Sequence, residues 1–181
     1  LAAVNGFPAA EAALAHGDLA GARRWADDAV AAASGAHRMI LLATRVRVAI
    51  AQDDAEQARQ DARDALAIAA ELRAYLRIPD VIECLATLAA RSGAHREAAR
   101  LYGAAHAVRD HTGQVRYRIY DADYAATVAD LRNEMTEVEF ESRWAEGAAL
   151  SAADAVANAR RAHGGHKRPP SGWQSLTPAE R

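Results

Sequence analysis

Three helix-to-helix turns recur along the chain at nearly regular spacing, and alanines follow each at the same two offsets. The turns are His16-Gly17-Asp18, Gln52-Asp53-Asp54 and Ser92-Gly93-Ala94, with central residues 36 and 40 positions apart. Five residues beyond each centre stand Ala22, Ala58 and Ala98; twelve beyond stand Ala29, Ala65 and Ala105. Small residues at such points let the two helices of a hairpin approach closely. This is the pattern of a tetratricopeptide (TPR) array, whose usual period is about 34 residues. The third unit fits best, with Leu85-Ala86, Ala89 and Tyr102 at the expected positions. The first two units are degenerate, and none ends in the proline such arrays carry. The predicted fold is therefore all-α: a TPR-like antiparallel helical repeat, wound as a right-handed superhelix, with extra C-terminal helices.

Composition agrees. Apolar residues make up 51% of the 181, yet aromatics only 6%. Alanine supplies most of the difference, and it favours helix over strand. The pattern predicts helices over 8–16, 18–34, 37–52, 54–74, 78–92, 94–111, 114–134, 137–148 and 151–163. Gly17, Gly35, Gly93 and Gly113 stand where glycine stops helices. Thr136 with Glu139, and Ser151 with Asp154, have capping-box spacing. Pro79 suits a first helical turn.

Four regions follow from this reading. Residues 1–112 are the repeats, and 113–163 are C-terminal helices packed on them. Residues 164–174 are a flexible basic linker, rich in Gly and Pro with Lys167 and Arg168. Residues 175–181 open a new helix, because Thr177, Pro178 and Glu180 make a helix start.

Charge excludes some functions. Lys and Arg total 22 against 24 Asp and Glu, so the chain as a whole is not a basic nucleic-acid binder. No apolar run approaches the roughly 20 residues that a membrane helix needs. The single cysteine, Cys84, sits in an apolar run and reads as a buried hydrophobe. The seven histidines show no metal-ligand spacing, and no metal or cofactor is expected. Carboxylates such as Asp61 and Asp64 interleave with Arg59 and Arg63, which predicts a solvated, ion-paired face. No phosphate loop or nucleophile elbow is present, so no catalytic residue is assigned and the segment is not expected to be an enzyme. Trp25, Tyr75, Tyr102 and Trp144 are expected to pack in the core or between helices.

Helical arrays use the concave face, built by the first helix of each pair, to bind partners. The register places Arg47, Glu83, Thr87 and Arg91 on that face. They are the candidate binding residues.

Two longer segments carry a resemblance. Ala99-Arg100-Leu101-Tyr102-Gly103-Ala104-Ala105-His106-Ala107-Val108-Arg109 is one. Phe140-Glu141-Ser142-Arg143-Trp144-Ala145-Glu146-Gly147-Ala148-Ala149-Leu150-Ser151, with Ala153-Asp154-Ala155-Val156 after it, is the other. Both resemble segments of large LuxR-type transcriptional regulators, built on the plan of MalT and AfsR. The run Ser175-Leu176-Thr177-Pro178-Ala179-Glu180-Arg181 resembles the opening of their helix-turn-helix domain. The resemblance covers residues 94–181.

It implies a cytoplasmic regulator with an ATP-binding module before the helical region and a DNA reader after it. The helical region would then bind a protein partner or small inducer and control DNA binding by the C-terminal domain. A homodimer is compatible with this plan. Contact with DNA would come only through that domain, and no membrane is involved. The competing expectation is a TPR-like scaffold or adaptor without a transcriptional role.

Overall fold

The computed structural model describes residues 2–164. The expected linker, apart from Gly164, and the expected start of a helix-turn-helix domain lie outside the described residues. Within them the chain is all-helical, with nine α-helices and one short 3₁₀ turn. These are α1 (Ala2–Ala15), α2 (Leu19–Ala31), α3 (Gly35–Ala51), α4 (Ala55–Leu72), α5 (Ile78–Arg91), α6 (His95–Thr112), α7 (Asp121–Glu134), α8 (Glu137–Ala148) and α9 (Ala152–Gly164). No described helix is long and apolar enough to cross a membrane.

The three turns found in the sequence close in one and the same way. Gly17, Asp53 and Gly93 all adopt positive φ, at 77°, 57° and 78°. Each donates its N–H to the carbonyl three residues back: Leu14, Ile50 and Ala90. The next residue in each turn donates to the carbonyl five back: Ala13, Ala49 and Ala89. This paired bonding satisfies helix-end carbonyls and reverses the chain. Asp18 and Asp54 then cap the following helices by accepting from Gly21 N and Gln57 N at 2.8 and 3.1 Å. Ala94, with only a methyl group, cannot do so. The result is three helix pairs, α1 with α2, α3 with α4 and α5 with α6. The six alanines at the common offsets are all fully buried.

The core runs through these pairs, with Met39, Leu42, Val46, Leu66, Ile82 and Leu85 all buried. Tyr102 and Phe140 are its largest side chains. Helix α8 lies on α6 at a crossing that only glycine permits. A Cβ on Gly147 would stand 1.9 Å from Arg100 O, and one on Gly103 would stand 2.1 Å from Trp144 O. Both glycines lie in the two segments singled out above, so those segments are the two faces of one helix contact. Helix α9 packs on α4 and α6, burying Ala155, Val156 and Ala159.

Some expectations need correction. Pro8 does not begin α1 but lies within it, where it removes one hydrogen bond near the helix start. Gly35 opens α3 with φ 54° instead of ending α2. The helix expected over 114–134 starts only at Asp121. Residues 114–120, ending in the 3₁₀ turn Arg118–Tyr120, form a strap held in place by side-chain bonds, as described below. Asp61 is not solvated: it is fully buried and takes two bonds from Arg45, at 2.7 and 2.8 Å. Trp25 is 43% exposed, so it is not a core residue, whereas Tyr102 is buried and Tyr75 and Trp144 are partly so.

The glycine crossing makes a testable contrast. Gly147→Ala forces the α6 and α8 backbones apart and is expected to cost about 1–3 kcal/mol. Gly113→Ala, where an added Cβ meets nothing but φ is 66°, is expected to cost about 1 kcal/mol. Urea denaturation of both variants checks the order; equal losses would contradict the close contact.

A candidate ligand cavity on the first-helix face

The four candidate residues come together. Arg47 from α3, with Glu83, Thr87 and Arg91 from α5, all line one cavity of about 810 Å³. Leu14 and Ala15 of α1 and Ile50 and Ala51 of α3 add apolar surface. The far wall is α7, which contributes Asp123, Tyr124, Ala126, Thr127, Asp130, Leu131 and Glu134. The cavity is thus bounded by the first helix of each pair and closed by α7. Its volume suits a small molecule, for which sites of roughly 300–1,000 Å³ are usual.

The four do not stand alike. Arg91 is exposed, donating to Ile50 O at 3.2 Å and pairing with Asp53 at 3.4 Å. The Thr87 hydroxyl donates to Glu83 O at 3.0 Å and lies 2.9 Å from the Tyr102 hydroxyl. Arg47 and Glu83 belong to a buried ionic lattice at one end of the cavity. There Asp80 meets Arg47 at 3.0 Å, Arg77 at 3.1 Å and Arg109 at 3.1 Å. Glu83 meets Arg116 at 2.6 Å, Arg109 at 2.9 Å and Arg47 at 4.0 Å. Glu11 of α1 accepts from Thr44, Arg77 and the Tyr120 hydroxyl. Asp121 pairs with Arg116 at 3.5 Å, so four guanidiniums face four carboxylates.

Aromatic rings cover three of these cations. The Arg47 guanidinium lies 3.7 Å over Tyr120, and that of Arg116 lies 3.6 Å over Tyr124. Arg77 sits between Phe7 and Tyr117, at 5.1 and 4.8 Å. Its backbone is left-handed, with φ 66°, and its N–H donates to Gln114 Oε1 at 2.9 Å. Gln114 Nε2 in turn donates to Tyr75 O at 3.2 Å. The strap 114–120 is therefore fixed at both ends to α1 and to the start of α5.

Burial raises the neighbouring acids. It pushes the Tyr102 hydroxyl up to about 12 and the Cys84 thiol up to about 11. Tyr120 is also raised, first by burial and then by Glu11. Among the described residues, five buried arginine nitrogens have no hydrogen-bond partner: Arg47 Nε, Arg77 Nε, Arg109 Nε and Nη1, and Arg143 Nε. Among the described residues no group of three or more His, Cys, Asp and Glu is placed to hold a metal ion.

Sequence reasoning did not find Glu11, Asp80, Arg77, Arg109, Arg116 or Tyr120. One signal was present. In Ile78-Pro79-Asp80-Val81-Ile82-Glu83-Cys84-Leu85, two carboxylates interrupt an otherwise apolar helix and so must be buried with partners. Apart from Arg77, three residues from Asp80, which arginines those partners are depends on pairings 26 to 36 residues apart in sequence.

Comparison with known proteins places this segment. The chain is 52% identical over 172 residues to the "Putative HTH-type transcriptional regulator Rv0890c" of Mycobacterium tuberculosis, and equally to the "Putative HTH-type transcriptional regulator Mb0914c" of Mycobacterium bovis. The match takes in 95% of this chain but 20% of each relative. The chain thus spans about a fifth of the length of the curated relatives it matches. No family model matches it, and no solved structure does.

The lattice makes stability sensitive to single partners and to alkali. Glu83→Gln removes the carboxylate that Arg109 and Arg116 share, leaving Arg109 to Asp80 and Arg116 to the more exposed Asp121, and is expected to cost about 3–5 kcal/mol. The raised Cys84 and Tyr102 groups hold their protons more tightly when folded, so their stabilisation is full below the unfolded values, about 8.5 and 10. It is lost as pH rises through about 11 and 12. Melting temperature is therefore expected to fall from about pH 9 upward, while Cys84 alkylation at pH 8 proceeds only at the unfolding rate. Rapid alkylation of the folded protein would contradict this.

Proposed function

We propose that this chain is the sensing segment of a transcriptional regulator, and that its cavity receives the signal. The 52% identity to proteins named as helix-turn-helix regulators, over 95% of this chain, carries the reading. The cavity supports it, since elements from every helix pair and α7 line it. In finer terms the parent protein is a LuxR-family regulator of the MalT and AfsR plan, soluble in the cytoplasm. An ATP-binding module precedes this TPR-like repeat region and a DNA-binding domain follows it. The four regions 1–112, 113–163, 164–174 and 175–181 belong to that plan. The signal is a small inducer or a protein partner, and homodimerisation is one route to control.

The mechanism is a shift of population. A ligand that fits one arrangement of α7 against α1, α3 and α5 better than another favours that arrangement by its difference in affinity. Since α7 follows the strap directly, a change there reaches the lattice, and α7 also borders α6 and α8. Arg47 and Glu83 position the floor, whereas Thr87 and Arg91 stand nearer the ligand.

Filling the cavity tests this. Ala90 lines it and is only partly buried, so Ala90→Trp occupies space without opening the core. In the full-length protein this variant is expected to shift expression of the same transcripts that deletion of the gene shifts. An unchanged transcript profile would contradict the reading.

A further inference from the structure

The three helix-to-helix turns lie side by side, and the gap between the first two differs from the gap between the last two. An arginine stands six residues beyond the centre of each of the first two turns: Arg23 and Arg59. Arg23 is fully partnered. It donates to Asp27 at 2.9 Å and, across the gap, to Gln52 Oε1 at 3.3 Å, with Asp54 at 3.8 Å. Gln52 spans this first gap, donating onward to Leu19 O at 3.1 Å.

At the second gap each of those acceptors is replaced. Arg63 stands where Asp27 does, Ser92 where Gln52 does, and Ala94 where Asp54 does. The backbone is the same, since Asp54 and Ala94 have φ, ψ of −87°, 73° and −83°, 57°. Ser92 is too short to span the gap, and its hydroxyl turns back to Ala89 O at 2.9 Å. Arg59 is half-buried, and its guanidinium has no acceptor among the described residues. Where Gln52 spans the first gap, the second holds a cavity of about 180 Å³. Arg59, Arg91 and Asp53 line it, together with the apolar Ile50, Ala55 and Leu88.

Charge and size define what fits. Asp53 pairs with Arg91 at 3.4 Å, so the cavity is left with the positive charge of Arg59. At about 30 Å³ per water, it has room for roughly six waters, or for a molecule of about six heavy atoms. A guanidinium takes a carboxylate through two parallel hydrogen bonds. The apolar lining suits a short hydrocarbon chain.

We propose that this cavity is a second ligand site and that it takes a short aliphatic monocarboxylate. The carboxylate pairs with Arg59 as Asp54 pairs with Arg23, and the chain lies on Ile50, Ala55 and Leu88. The two cavities share Ile50 and Arg91, but the assignment does not rest on the sensing role of the larger one.

The test is a nitrogen-15 NMR titration of the 181-residue chain with butyrate at low salt. Saturable shifts are expected at the Arg59 Nε–H and at the Ser92 and Gly93 amides. Arg59→Gln should weaken binding about tenfold or more, the effect of losing a charged hydrogen bond. Ala94→Asp restores the acceptor that the third turn lacks, so it should weaken butyrate about two- to fivefold. The same variant should melt at a higher temperature, because Asp at that position also caps α6. Its weaker binding is then not a folding defect. No saturable shift at Arg59, equal affinity in Arg59→Gln, or undiminished affinity in Ala94→Asp would each overturn the assignment. So would equal binding of inorganic phosphate, which is anion attraction alone. Tighter binding of N-acetylglutamate N-methylamide would also overturn it, giving the pocket to an acidic side chain of a protein partner.

Discussion

Two carboxylates on one turn of α5, Asp80 and Glu83, organise the part of the molecule that carries the cavity. Neither could be buried alone, since an isolated charge in an apolar interior is far too costly. Together they draw Arg47 from α3, Arg109 from α6, Arg77 from the α4–α5 turn and Arg116 from the strap. Ridge-in-groove packing alone would let these elements slide; a shared pair of acids fixes their relative positions. The strap is the clearest case. It buries little, exposing Val115, Tyr117 and Ile119, yet Arg116 and Tyr120 pin it across α1 and α5. Its course then sets where α7 starts, and α7 is the cavity's far wall.

A lattice of this kind is weak evidence for stability as such, because desolvation offsets most of the attraction. Its effect here is geometric. It makes the floor of the cavity charged but neutralised, whereas the carboxylates of Asp123, Asp130 and Glu134 on α7 line the cavity without a partner among the described residues. That division separates the residues that build the site from those available to a ligand. It also explains why Arg47 and Glu83 line the cavity while spending their charges on the protein itself.

The all-helical class and the three helix pairs were legible in the sequence because they are local. Turn residues and alanine offsets act within one hairpin, and Gly17, Asp53 and Gly93 close identical turns. The face of the candidate residues was legible for the same reason, since periodicity places Arg47, Glu83, Thr87 and Arg91 on first helices. What stayed hidden is long-range. Glu11 and Tyr120 meet across 109 residues, and nothing near either predicts the other. The strap read as helix because its residues have no strong breaker after Gly113; tertiary bonds to Gln114, Arg116 and Tyr120 override local preference. Asp61 read as solvated because it lies among charges, and only the fold brings Arg45 onto it.

The central claim is that the ionic lattice, through Glu11 and Tyr120, holds the strap and α7 against the first helices. Hydrogen exchange on Glu11→Gln tests it most directly. The account predicts faster exchange across 114–134, with α3 to α6 still protected at wild-type levels. Uniform loss of protection, or no change in the strap and α7, would contradict it.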